Sequence, residues 1–230
     1  MSIKNVSFIG LGVMGYPMAG HLQNNGYNVT VYNRTTVKAE KWVEEYKGSM
    51  AKTPGEASQN SEIDFMCVGR DEDIIEVMEG KDGILSKVTE GSIIVDHTTA
   101  SAEIARNYYQ KLKDKKLSFL DAPVSGGQAG AENGVLSIMI GGDQKDYNTV
   151  KPVLTSYGKA VELIGPSGSG QIAKMINQIC IAGLVQGLSE AMAFGKKSNV
   201  DMEKVLSVIS KGAAQSWQME NRYRTMLDGK

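Results

Sequence analysis

The chain has 230 residues, 41% hydrophobic and 22% charged, enough apolar content for one large or two modest cores. Its formal net charge of −1 sets up no global field, so neither nucleic acid nor a membrane surface is expected as a partner. Cys67 and Cys180 lie far apart in apolar contexts, and His21 and His97 have no paired spacing, so no disulfide and no metal centre are expected; a reducing, cytoplasmic setting fits.

Met1 is followed almost at once by the first predicted strand, Val6–Ile9, with no signal peptide visible. That strand leads into Gly10-x-Gly12-x-x-Gly15, and apolar helical spacing follows from Met14 through Leu22. A strand, a glycine turn and a helix start are what a dinucleotide pyrophosphate needs. Gly10 allows the tight turn, Gly12 lets the backbone approach phosphate, and Gly15 lets helix and strand pack closely. The helix N-terminus adds N–H groups and a positive dipole end. Glycines are common in turns; the position between strand and helix gives the motif its weight.

Further strands are predicted at Asn28–Tyr32, Ile63–Val68, Ser92–Asp96, Leu117–Asp121, Leu136–Ile140 and Ala160–Ile164, with helical patterns between them. That alternation predicts an α/β fold, a Rossmann-type, doubly wound parallel sheet with right-handed crossovers. The Lys111–Lys116 cluster reads as the solvated end of a helix. After the second strand comes Asn33-Arg34-Thr35, with no acid where an NAD ribose would need one. Arg34 suits a 2′-phosphate, with Thr35 or Asn33 hydrogen-bonding beside it, which favours NADP over NAD. A surface arginine would leave that selectivity open.

Gly165-Pro166-Ser167-Gly168-Ser169-Gly170 interrupts the rhythm and reads as a flexible boundary between a dinucleotide-binding domain, 1–166, and an all-helical domain, 167–230. Gln171–Lys197 predicts one helix of about 40 Å. Gly183, Gly187 and Gly195 lower its propensity, so it needs packing, and small residues admit a second helix. A homodimer or homotetramer is expected. Asn177, Gln178, Gln186, Ser189 and Glu190 make Ile176–Phe194 too polar for a bilayer span. A shorter helix follows at Met202–Ser210, and another piece after Ala213. The last residues show no closing element, so the helical domain reads as incomplete at the C-terminus; a small, complete appendage is the alternative.

Two segments carry candidate chemistry. Asp121-Ala122-Pro123-Val124-Ser125-Gly126-Gly127 offers backbone N–H groups and a hydroxyl, which suits a carboxylate, although tight turns alone would use the same glycines. Gln171, Lys174, Asn177 and Gln178 share one face of the long helix, at i, i+3, i+6 and i+7. A lysine near a helix N-terminus has its pKa lowered, and partial burial acts the same way, which suits proton transfer; a solvated lysine is the plain alternative.

Taken together, these segments resemble the β-hydroxyacid dehydrogenase family, which includes 3-hydroxyisobutyrate dehydrogenase, tartronate semialdehyde reductase and the glyoxylate/succinic semialdehyde reductases. The likeness covers the whole chain. Residues 10–18 resemble the cofactor signature, which implies contacts from Gly10, Leu11, Gly12, Val13, Met14 and Gly15. Residues 121–127 resemble the substrate loop, which implies a carboxylate site at Ser125, Gly126 and Gly127. Residues 170–178 resemble the catalytic helix, with Lys174 as catalytic lysine and Asn177 or Gln178 orienting substrate. Many members carry asparagine where Gln178 stands. Val68, Gly69 and Thr98 match positions that line the cofactor. The resemblance implies NADP-dependent interconversion of a small 3-hydroxy or 2-hydroxy acid with its semialdehyde or oxo acid. Lys174 argues against an imine reductase, and the lack of histidine after it against 6-phosphogluconate dehydrogenase. Members continue several tens of residues further, so a chain truly ending at residue 230 would read as an NADP-binding but catalytically incomplete assembly module.

Overall fold

Short strands with side chains alternating between two faces decide the architecture. In β1 (Asn5–Ile9), Val6 and Phe8 point to one side and Ile9 to the other, and both sets are buried. A strand buried on both faces belongs in the middle of a helix-covered sheet. The computed structural model describes residues 3–229.

The chain divides into two compact units, Met1–Lys174 and Met175–Lys230. The first is a mostly parallel sheet covered by helices. From one edge the order is β3 (Ser49–Met50), β2 (Asn28–Tyr32), β1, β4 (Ile63–Met66), β5 (Ile93–Asp96) and β6 (Ser118–Asp121), all parallel. One face is covered by α1 (Gly15–Asn24), α2 (Thr36–Tyr46) and α7 (Gln144–Leu154). Met18, Leu22, Trp42, Val150 and Leu154 pack there with Val6, Phe8, Val31 and Phe65. The other face is covered by α4 (Asp71–Glu79) and α5 (Ala102–Lys113), through Ile74, Met78, Tyr108 and Leu112 on Ile9, Met66, Ile94 and Phe119.

The sequence pattern predicts a parallel sheet, and the sheet is parallel for the most part but not throughout. Past β6, the pair β7 (Val124–Ser125) and β8 (Leu136–Gly141) runs antiparallel, and β6 meets β8 antiparallel through Asp121 and Gly141. The physical reason is the connection. Only α6 (Gly127–Glu132), six residues long, separates β7 from β8, and a parallel return needs a longer crossover. α7 does make such a crossover, and β9 (Gly158–Gly165) pairs parallel with β8. Two other short elements, β3 and α3 (Pro54–Ser58), have no counterpart in the sequence pattern. Two- to five-residue elements carry too little periodicity to be seen there.

α8 (Ser169–Lys197) is a single helix of 29 residues. The Gly/Pro/Ser segment before it is firmly held rather than flexible. Gly168 and Gly170 are buried, and a Cβ on Gly170 would meet main-chain oxygens of Met139 and Asp121. In the second unit, α8 packs with α9 (Met202–Ile209) and α10 (Trp217–Leu227) around Leu188, Met192, Met202, Leu206 and Met219. The side chains of Asp201 and Ser216 cap the N-termini of α9 and α10. By length and composition alone α8 could cross a membrane, a test that the core helix of a soluble protein also passes.

Glycine at position 15 is required by packing: a Cβ there would overlap the Gly10 carbonyl oxygen and stand 2.9 Å from the Phe8 ring. Gly15→Ala should therefore destabilise the fold by about 1–3 kcal/mol, despite alanine's higher helix propensity. Urea unfolding of the two proteins tests this.

Candidate active site

The glycine turn after β1 opens into a cavity of about 650 Å³. Gly10 sits at φ +99°, a conformation L side chains rarely adopt, and a Cβ there would overlap the Cys67 carbonyl oxygen. Gly12 is different: a Cβ would meet nothing within 4 Å, so the backbone there faces open space. The N-cap residue of α1, Met14, supplies no side-chain hydrogen bond. An uncapped helix start beside an unobstructed glycine backbone fits a pyrophosphate.

Gly10, Gly12, Val13 and Met14 line this cavity, as do Asn33, Arg34, Thr35, Val68 and Gly69. Three expected contacts do not. Leu11 has its side chain in the core and gives its N–H to Asn33 Oδ1 at 2.9 Å. Gly15 is a packing residue. Thr98 is 1% exposed, and its hydroxyl accepts the Val68 N–H at 3.0 Å, so it supports the cavity wall from behind. Asn33 in turn ties the two loops together, since its amide also donates to the Thr35 carbonyl at 3.0 Å. The far wall comes from residues without a motif in the sequence: Lys38 of α2, Pro54 of α3, and Asp73, Glu76 and Val77 of α4. Only the sheet order 2-1-4 brings α4 opposite the end of β2.

The start of α8 is anchored by buried polar groups. Asp121, at the end of β6 and fully inaccessible, accepts the Gly168 N–H at 2.7 Å and the Gln171 N–H at 3.0 Å. This is helix capping by a residue from another element. Burial pushes the Asp121 carboxyl upward, opposed by those backbone donors. Gln171, 1% exposed, donates to the Thr98 carbonyl at 2.7 Å and accepts the Ala100 N–H at 3.1 Å. Thus Val68, Thr98, Gln171 and the first turn of α8 form one hydrogen-bonded chain behind the cavity. Neither Asp121 nor Gln171 was picked out as an anchor in the sequence. The signal available was a buried-type Gln one turn before Lys174.

Lys174 lies in that anchored part of α8. It is half-buried and its Nζ donates to the Val124 carbonyl at 2.8 Å. Desolvation holds its pKa below the ordinary lysine value. Val124 immediately precedes Ser125, Gly126 and Gly127, so the fold brings the lysine to the edge of that loop. Gly126 at φ +141° and Gly127 at φ +61° make the turn into α6, and a Cβ on Gly127 would meet nothing within 4 Å. Asn177 and Gln178 lie on the next turns of α8, in the second unit, hydrogen-bonded to each other at 3.0 Å.

Two nearby titratable groups are structural. His97 is buried; a carbonyl can only accept, so its Nδ1–H donates to Ala122 O at 2.7 Å and its Nε2 accepts from the Tyr157 hydroxyl at 2.8 Å. Burial pulls its pKa down to about 4, so it is neutral at physiological pH. Asp96 is pushed up to about 7 by burial, with the negative Asp121 and Asp71 adding to the shift and Thr98 opposing it. Among the described residues no cluster of His, Cys, Asp or Glu is arranged to hold a metal ion.

Residues 5–165 match the family model described as the NAD binding domain of 6-phosphogluconate dehydrogenase. The chain belongs to the β-hydroxyacid dehydrogenase family. Residues 168–230 match the model described as NAD-binding of NADP-dependent 3-hydroxyisobutyrate dehydrogenase. The chain is 58% identical over 227 residues to an uncharacterized oxidoreductase of Shewanella frigidimarina, covering 99% of this chain and 78% of that one. It is 34% identical to 2-hydroxy-3-oxopropionate reductase of Escherichia coli, covering 96% and 75%. A solved 3-hydroxyisobutyrate dehydrogenase from Salmonella typhimurium superposes with a TM-score of 0.86 at 26% identity, covering 98% of this chain and 79% of that one. The protein is therefore an NAD(P)-dependent oxidoreductase of the hydroxyacid dehydrogenase type.

Asp121→Asn leaves one buried N–H at the start of α8 without its acceptor. The expected loss is about 2–3 kcal/mol of stability, read by urea unfolding.

Proposed function

We propose that the protein interconverts a small 3-hydroxy or 2-hydroxy acid with its semialdehyde or oxo acid, using NADP(H) in preference to NAD(H), with Lys174 as proton donor and acceptor. The observation that carries this reading is the half-buried Lys174 ammonium, held 2.8 Å from the Val124 carbonyl at the edge of a glycine loop. The nicotinamide, when bound, exchanges hydride with the substrate carbon. Lys174, as the ammonium, gives its proton to the developing alkoxide oxygen in reduction and takes it back in oxidation. The Ser125 hydroxyl and the Gly126 and Gly127 amides hold the substrate carboxylate, and Asn177 or Gln178 orients the substrate. The hydrogen bond to Val124 fixes where the ammonium sits, so little rotamer freedom is lost when the substrate binds.

The cofactor preference rests on the end of β2. Arg34 and Lys38 both line the cavity, and no acid stands among residues 33–35. A guanidinium with a neighbouring ammonium favours a 2′-phosphate over a hydroxyl. Cys67 and Cys180, both free thiols, support a reducing, cytoplasmic setting.

The second unit supports self-association. Its core is small, while Ile179 and Phe194 of α8 are 71% and 74% exposed. Apolar faces of that size are costly in water. We propose a homodimer or homotetramer in which these faces are covered, without a membrane. Light scattering at micromolar concentration should return at least twice the chain mass; a monomer would exclude this assembly.

Lys174→Ala should lower kcat for short aldehyde acids by about 10²-fold or more while leaving the NADPH Kd nearly unchanged. Unchanged turnover across glyoxylate, succinic, tartronate and methylmalonate semialdehydes would remove Lys174 from the mechanism. The pH dependence has a definite sign. Reduction needs the ammonium, so its rate falls as pH rises through the lysine pKa, which burial has lowered; oxidation rises through the same pKa. In Lys174→Arg both limbs should vanish from the profile below the range where free lysine titrates.

A further inference from the structure

The end of β2 lacks the carboxylate that would hold a ribose hydroxyl, but the tertiary structure supplies one from elsewhere. Asp73, in the first turn of α4, lines the same cavity as Arg34 and lies 3.7 Å from its Nη1. A Cβ on Gly69, just past β4, would come 2.5 Å from Asp73 Oδ2, so glycine there leaves room for the carboxylate. The two partners differ in exposure. The Asp73 side chain is 34% exposed and that of Arg34 is 89% exposed, so the carboxylate is the more sheltered member of the pair.

We propose that Asp73 is a specificity-determining residue for the cofactor, opposing Arg34. A carboxylate beside the arginine acts in three ways, all in one direction. It competes with a 2′-phosphate for the guanidinium. It repels that phosphate directly, since both are anionic. It also accepts a hydrogen bond from a 2′-hydroxyl, which the phosphate form lacks. Asp73 therefore narrows the preference for NADP(H) that Arg34 creates, and leaves the protein able to use both dinucleotides. The pair is exposed enough that each contribution is modest and screened by salt. The inference rests on the proposal that Arg34 faces the 2′ position.

The test is direct binding, by calorimetry on the full chain, of NADPH and NADH to wild type, Asp73→Asn and Arg34→Ala, at low and high ionic strength. Asp73→Asn should tighten NADPH by about three- to tenfold and weaken NADH slightly, so the Kd ratio moves toward NADPH. The shift should shrink at high salt. Arg34→Ala should weaken NADPH by about tenfold or more and spare NADH. If Arg34→Ala acts as expected but Asp73→Asn leaves the ratio unchanged, the role of Asp73 is overturned and the cofactor reading stands. Equal weakening of both dinucleotides in Asp73→Asn, with a lowered Tm, would likewise overturn it, as a purely structural effect. If Arg34→Ala leaves both affinities unchanged, the cofactor reading and the role of Asp73 fall together.

Discussion

The carboxylate of Asp121 holds the start of α8, and the active-site geometry of the first unit depends on it. Its two oxygens accept N–H groups that a helix otherwise leaves unsatisfied at its N-terminus. The side chain comes from β6, so the helix is referenced to the sheet and not to the loop before it. Glycine at 141 and 170 is part of the same arrangement, because a Cβ at either would run into Asp121 atoms. The energetic logic is that of a buried charge: removal from water raises the cost of the carboxylate, and converging N–H donors offset it.

From that anchor the site is built by short steps. Gln171 fastens the first turn of α8 to the Thr98–Ala100 segment, and Thr98 fastens that segment to Val68 on the cavity wall. One turn further along the helix, Lys174 reaches the Val124 carbonyl. Thr98, Ala100 and Val68 lie in loops past strand ends, and these hydrogen bonds tie those loops to one another and to the first turn of α8, which is how a scaffold holds side chains in place. The neutral, doubly hydrogen-bonded His97 beneath serves packing and not proton transfer.

The cavity beyond β1 is governed by different physics. Its glycine turn is shaped by the absence of side chains, at Gly10, Gly12 and Gly15. The part at the end of β2 is shaped by charge, with Arg34, Lys38 and Asp73 on three different helices or loops around one cavity. Steric requirements of the first kind are nearly all-or-none. Exposed charges of the second kind contribute on the order of 1 kcal/mol each, which makes charge the more adjustable of the two.

The sequence alone determined what depends on local pattern. Strand alternation, helical spacing and the glycine turn gave the seven main strands and the α/β class, because a residue's neighbours within ten positions fix its periodicity. The resemblance added the family and pointed to Lys174. Tertiary structure decided what depends on distant partners. The antiparallel turn at β7–β8 followed from a connection too short to cross over. The Gly/Pro/Ser segment became rigid because Asp121, some fifty residues earlier, captured its N–H groups. Leu11 and Thr98 left the cavity surface because their polar groups found partners in Asn33 and Val68. Asp73 entered the cofactor cavity only because β1 separates β2 from β4 in the sheet, which sets α4 opposite the end of β2. Pairings across twenty to seventy residues leave no periodic trace in a sequence, so the chain could announce its fold and its lysine, but not the groups that hold or oppose them.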